Sequence, residues 1–161
     1  MNTVLTVAQQ GEAILNLVAV AVSEAEFNCP WLTELTQAMH ATMLDRNGVG
    51  IAAPQVYISK RIIIVASRPN VRYPDAPEMD ATVMINPEIV FQSEQTLDGE
   101  EGCLSVPDRR GQVARAAQIR VRYRSVQGEQ IETEFSGFPA RIVQHEVDHL
   151  NGVLFVERLT D

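Results

Sequence analysis

The stretch SGFPARIVQHEVDHLNG, residues 136–152, decides the architecture. Ser136 offers an N-cap oxygen, Pro139 suits a first turn and Asn151-Gly152 stops the run, so a helix is predicted from about Phe138 to Leu150. Residues four apart share one helix face, which makes His145 and His149 project together toward one metal ion. Glu146 follows the first of them. From there it reaches a water on such an ion from the side, as a general base does.

Around that helix the chain reads as strands. WLTELTQAMHATMLD, residues 31–45, gives a second helix with Leu32, Leu35, Met39 and Met43 on one face, opened by Pro30 and stopped by NGVG at 47–50. RIIIVAS (61–67) reads as a buried strand and TVMINPEIVF (82–91) as a strand region interrupted at Asn86-Pro87. Residues 68–80, with three prolines and several acids, read as a surface loop. QVARAAQIRVRYRSV and EQIETEFSG alternate on either side of Gln127-Gly128, a hairpin pattern that sets Ile119, Val121 and Tyr123 against Ile131, Thr133 and Phe135. VLFVERLTD, 153–161, leaves room for one short strand. The expected class is α+β: antiparallel strands packed around a central helix that carries H-E-x-x-H, in one catalytic domain spanning 1–161.

Composition bounds the function. The 161 residues are 45% hydrophobic and 21% charged, an ordinary globular profile. A net charge of -8 argues against a broad nucleic-acid surface. The apolar run AILNLVAVAV, 13–22, is too short to span a bilayer. No Lys or Arg precedes Arg46, which speaks against a secretory or mitochondrial leader. No membrane partner is expected, and cytoplasm is the expected location. There Cys29 and Cys103 are better read as free thiols than as a disulfide.

A catalytic metal needs a third protein ligand. H-E-x-x-H followed by Gly152 approaches the metzincin peptidase pattern, but Phe155 stands where its last histidine belongs. Glu157 and Asp161 have no following helix to fix them, and His40 lies on the helix predicted over 31–45. Cys103, in GEEGCLSVP (99–107), offers a thiolate that suits borderline and soft divalent metals, and it is the choice on chemistry. The competing reading is a small buried apolar residue.

GVGIAAPQ (48–55), EGCLSV (101–106) and QHEVDHL (144–150) together resemble the three signature motifs of peptide deformylases, in order and at family-like spacing. RIIIV, INPEI and GVLF extend the likeness over nearly the whole chain. The resemblance implies a metal-dependent hydrolase that removes the formyl group from N-terminal formylmethionine. It implies one divalent ion per chain, Fe²⁺ in the cell with Zn²⁺, Ni²⁺ or Co²⁺ able to substitute, held by Cys103, His145 and His149. Glu146 would move the proton, and the Gln55 amide and Leu104 backbone N–H would steady the oxyanion.

Gly50 and Gly102 would let substrate backbone approach. Val49, Phe138 and Ile142 match family positions around the methionine pocket, although ordinary core packing explains them nearly as well. Arg110 matches a family arginine at the pocket mouth. Asp148 points off the ligand face and is expected in a structural ion pair. Two departures stand out. GEAILNLVAVAV (11–22) lacks the prolines and arginines of the usual opening, and the chain stops at Asp161 without a long basic C-terminal helix. Together they suggest a short form whose ribosome association is weak. An H-E-x-x-H peptidase, a non-catalytic binding protein and a paralogue acting on another small amide are the rival readings.

Overall fold

The computed structural model describes residues 3–160. Helix α1 spans Pro30–Asp45 and α2 spans Gly137–Leu150. Seven strands follow α1 in two sheets: β1 (Gly50–Ala52), β2 (Ile62–Val65), β3 (Thr82–Gln92), β4 (Thr96–Cys103), β5 (Val106–Ala116), β6 (Gln118–Arg124) and β7 (Gln130–Ser136). The larger sheet runs β1-β2-β3-β6-β7, and β4-β5 form a separate ribbon; every strand pair is antiparallel. The class is therefore α+β.

The burial pattern follows from what covers each face. β2 is apolar throughout because helices cover it on both sides. Ile63 and Val65 pack toward α2 with Met84, Ile119 and Val121, while Ile62 and Ile64 join Leu32, Met39 and Met43 of α1. Each such aliphatic contributes about 1.5–3 kcal/mol when fully buried. β6 alternates instead. Ile119, Val121 and Tyr123 face α2, and Arg120, Arg122 and Arg124 face outward, where Glu134, Glu132 and Glu24 meet them. The predicted hairpin is present in the expected register: Ile119 opposite Phe135, Val121 opposite Thr133 and Tyr123 opposite Ile131.

Three sequence readings need correction. Residues 82–92 form one strand, not an interrupted one. Asn86 takes a left-handed φ of 52°, the ladder shifts register there, and its side chain bonds both backbone groups of Val22. Residues 106–116 leave the expected β6 run and pair with β4, a hairpin absent from the sequence reading. The last segment forms a 3₁₀ turn, Phe155–Arg158, rather than a strand; Phe155 is still buried there, and only Leu159 bridges to Val113. Ser136 occupies the N-cap position of α2 without making a side-chain cap bond. Asn47 turns the chain after α1 with a φ of 55°.

Candidate metal centre

α2 is fixed to the β4–β5 ribbon by its own polar side chains. Gln144 bonds the backbone N–H and C=O of Ala116, at 3.0 Å each. Arg141, one turn before His145, donates to Val113 O at 2.8 Å and to Leu97 O at 2.7 Å, which ties the helix to β5 and β4. β4 ends at Cys103, and Leu104-Ser105 turn the chain into β5. These bonds bring a thiol on a ribbon against two imidazoles on a helix.

Cys103 Sγ and one ring nitrogen each of His145 and His149 lie within 4.8 Å of one another, and all three residues are buried. Cys103 Sγ is 3.3 Å from His149 Nε2. Tetrahedral coordination at ordinary Zn–S and Zn–N lengths separates such donors by roughly 3.5 Å, so the set fits a divalent ion of that kind. His145 Nδ1 is 3.0 Å from Glu101 Oε1, so its other nitrogen is the one that could ligate a metal ion, the usual orienting arrangement. Among the described residues, His149 Nδ1 has no hydrogen-bond partner.

Electrostatics agree with the donor set. Burial pushes the Cys103 thiol up, but His149 and His145 beside it outweigh burial and hold it well below the ordinary range. Burial lowers His145, yet hydrogen bonds with Cys103 and Glu101 carry it well above 6.5. A buried thiolate between two imidazoles thus draws positive charge, which a divalent cation supplies as well as a proton does.

Glu101 anchors the surroundings. Arg115 grips it in a fork, with both bonds 2.9 Å; Arg141 binds it at 2.8 Å, and Arg115 also reaches Asp148 at 2.7 Å. Arg158 closes on Asp148 from outside, so Asp148 sits in ion pairs as expected. Burial raises Glu101, but His145 and Arg115 overcome it and hold the carboxyl far below the usual carboxylate range.

The site's cavity is lined by Val49, Gly50, Gln55, Gly102, Cys103, Leu104, Phe138, Ile142, His145 and Glu146, so these predicted residues converge on one space. Glu146 is 4% exposed, and among the described residues its Oε1 has no hydrogen-bond partner. Burial first, and the Cys103 and Glu101 charges after it, push its carboxyl up to about 7 against the pull of both histidines. A Cβ on Gly50 would come within 2.5 Å of Glu146 Oε2, so only glycine leaves that carboxylate its place. Gln55 is a buried residue, not a solvated loop side chain. Its Oε1 accepts from Ala52 N at 2.9 Å, which turns its NH₂ toward Ser105 Oγ at 3.1 Å and Cys103 Sγ at 3.5 Å.

Arg110 stands outside that lining. It pairs with Glu100 at 3.2 Å and lies over the Tyr73 ring at 5.2 Å. Phe155, at the metzincin position, stacks on His145 with ring centroids 6.0 Å apart. His40 lies half-buried on α1, apart from the cluster.

Sequence reasoning missed Glu101, Arg141 and Tyr73. Glu101 is the first residue of EGCLSV and Arg141 lies one turn before His145, so spacing held a clue to both. Tyr73, which packs on Phe138 at 4.6 Å between centroids, comes from the 68–80 loop, where nothing local marks it. Both cysteines are free.

A family model described as polypeptide deformylase matches residues 4–161. A peptide deformylase 2 from Shewanella oneidensis is 48% identical over 98% of this chain and 85% of its own length. One from Nostoc sp. is 52% identical over 80% of this chain and 72% of its own. The crystal structure of a class I type b peptide deformylase from Acinetobacter baumannii, bound to Met-Ala-Ser, superposes with a TM-score of 0.97. It is 69% identical, covering 99% of this chain and 100% of that one.

Proposed function

The chain belongs to the polypeptide deformylase family and removes the N-formyl group from nascent peptides; from that premise we propose that Cys103, His145 and His149 hold its metal ion and that Glu146 carries the proton. The observation behind this reading is the convergence of those three donors within 4.8 Å beside the unpartnered oxygen of Glu146.

A divalent cation held there supplies Lewis acidity, which makes a potent nucleophile from water near neutral pH. Fe²⁺ is the proposed native ion, with Zn²⁺, Ni²⁺ and Co²⁺ as substitutes; a thiolate and two imidazoles suit all four. The chain's own groups do the rest. The Gln55 amide, aimed by its bond from Ala52, and the Leu104 N–H donate to the oxygen that gains charge as the formyl carbon becomes tetrahedral. Glu146 accepts the proton of the attacking water and returns it to the peptide nitrogen as the C–N bond breaks, releasing formate. Burial raises the Glu146 carboxyl above its ordinary range, which favours the proton uptake that this shuttle needs.

Val49, Phe138 and Ile142 take the methionine side chain, with Tyr73 covering Phe138. The Met-Ala-Ser bound to the Acinetobacter relative supports an N-terminal methionine as occupant. Gly50 and Gly102 admit the substrate backbone, and Arg110 marks the mouth of the site. No described helix is long and apolar enough to cross a membrane. The proposed setting is the cytoplasm, with at most weak ribosome contact.

Cobalt reports the ligand set directly. Co²⁺-loaded protein should show a thiolate-to-cobalt charge-transfer band that survives in Glu146→Ala and disappears in Cys103→Ala. An unchanged band in Cys103→Ala would overturn the assignment.

A further inference from the structure

A second cavity, about 170 Å³, adjoins the first and shares Arg72, Gly102, Cys103 and Leu104 with it. Its wall carries four arginines: Arg46 from the end of α1, Arg72 from the 68–80 loop, and Arg109 and Arg110 from β5. No acidic residue lines it. This stands out in a chain of net charge -8 in which Arg120 and Arg122 pair with Glu132, Arg124 with Glu24 and Arg158 with Asp148. Arg110 is held by Glu100 and Tyr73, but among the described residues Arg46, Arg72 and Arg109 make no ion pair. Guanidinium groups gathered without counter-charge repel one another, and an entering carboxylate relieves that repulsion while accepting forked bonds.

We propose that this groove binds acidic side chains of the substrate, so that the enzyme favours formylmethionyl peptides with Asp or Glu among the residues that follow methionine. The proposal rests on the deformylase site described above. Continuity selects a peptide over a nucleic acid as the occupant. The groove floor is the same Gly102–Leu104 segment that flanks the reacting position, so a chain extending from a bound formylmethionine meets the arginines within a few residues.

The test compares kcat/KM for formyl-Met-Ala-Asp-Asp, formyl-Met-Ala-Asn-Asn and formyl-Met-Ala-Lys-Lys amides with metal-loaded enzyme. At low ionic strength the acidic peptide should lead the neutral one by about tenfold, the scale of several solvent-exposed ion pairs acting together, and the lead should shrink as salt rises. In the double variant Arg46→Glu, Arg109→Glu the order should reverse in favour of the lysine peptide, which a loss of folding alone cannot produce. Equal kcat/KM for acidic and neutral peptides in active wild-type enzyme would overturn the proposal. So would equal values accompanied by salt-sensitive binding of a short single-stranded RNA, which would give the groove to phosphate. Absence of formate from all three peptides would instead indict the deformylase reading itself.

Discussion

Glu101 is the residue whose loss should be felt furthest from the atoms removed. It is 3% exposed and accepts bonds from Arg115, Arg141 and His145. In Glu101→Ala, Arg141, 8% exposed, loses the one carboxylate it meets among the described residues; Arg115, 5% exposed, keeps Asp148. Breaking a buried pair by removing one partner costs about 3–5 kcal/mol. Because Arg115 retains a partner and Arg141 retains two carbonyls, the low end applies, about 3 kcal/mol. For a chain of this size that is a fall in Tm of roughly 6–12 °C.

The same change frees Nδ1 of His145, and losing such an orienting acceptor typically weakens metal affinity 10–100-fold. Thermal unfolding of metal-free protein isolates the first effect, and competition against a chelator isolates the second. Glu101→Gln keeps the volume and an acceptor and should fall between. A Glu101→Ala protein that melts within about 2 °C of wild type and holds metal equally well would refute the network argument.

Three further outcomes follow from neighbouring geometry. Glu101 has a folded pKa below its unfolded value, so the stability it confers is fully present above about pH 4.5 and drains away as pH falls toward the depressed folded value; urea titrations at stepped pH should show this loss in wild type and a flatter profile in Glu101→Gln. Gly50→Ala drives a methyl into Glu146 Oε2 and toward Ile142 Cγ2, 2.8 Å away, so kcat/KM should drop at least about tenfold with metal content retained; near-normal turnover would contradict the tight packing there. Gln55→Ala should lower kcat by about 10²–10³-fold, the usual cost of an oxyanion donor, with KM much less affected; a pure KM effect would remove Gln55 from that role.

The two helices were legible because their signals are local. Pro30, Pro139, Asn47 and Asn151-Gly152 punctuate them, and α2 carries His145, Glu146 and His149 within about one turn. The β6–β7 hairpin was legible for the same reason, since apolar and charged residues alternate across a short turn. The β4–β5 ribbon was not. TLDGEEGC has no alternation to read, because most of that strand faces solvent and its buried positions are a glutamate and a cysteine. That ribbon brings Cys103 to the histidines, so the proposed third ligand follows from chemistry and resemblance rather than from local pattern. Glu101 was passed over because its partners Arg115 and Arg141 lie 14 and 40 positions away. Gln55 was marked only by the family resemblance; by itself it reads as a loop polar residue, and the fold buries it against Ser105, 50 positions on.

The most direct measurement of the central claim is formate release from a formyl-Met-Ala-Ser peptide by anaerobically purified, Fe²⁺-loaded protein, beside Glu146→Ala loaded to the same metal content. Wild type should release formate stoichiometrically with new amino termini, and Glu146→Ala should retain its metal while turning over about 10²–10⁴-fold more slowly. No formate from metal-replete wild type, or undiminished turnover in Glu146→Ala, would contradict the account.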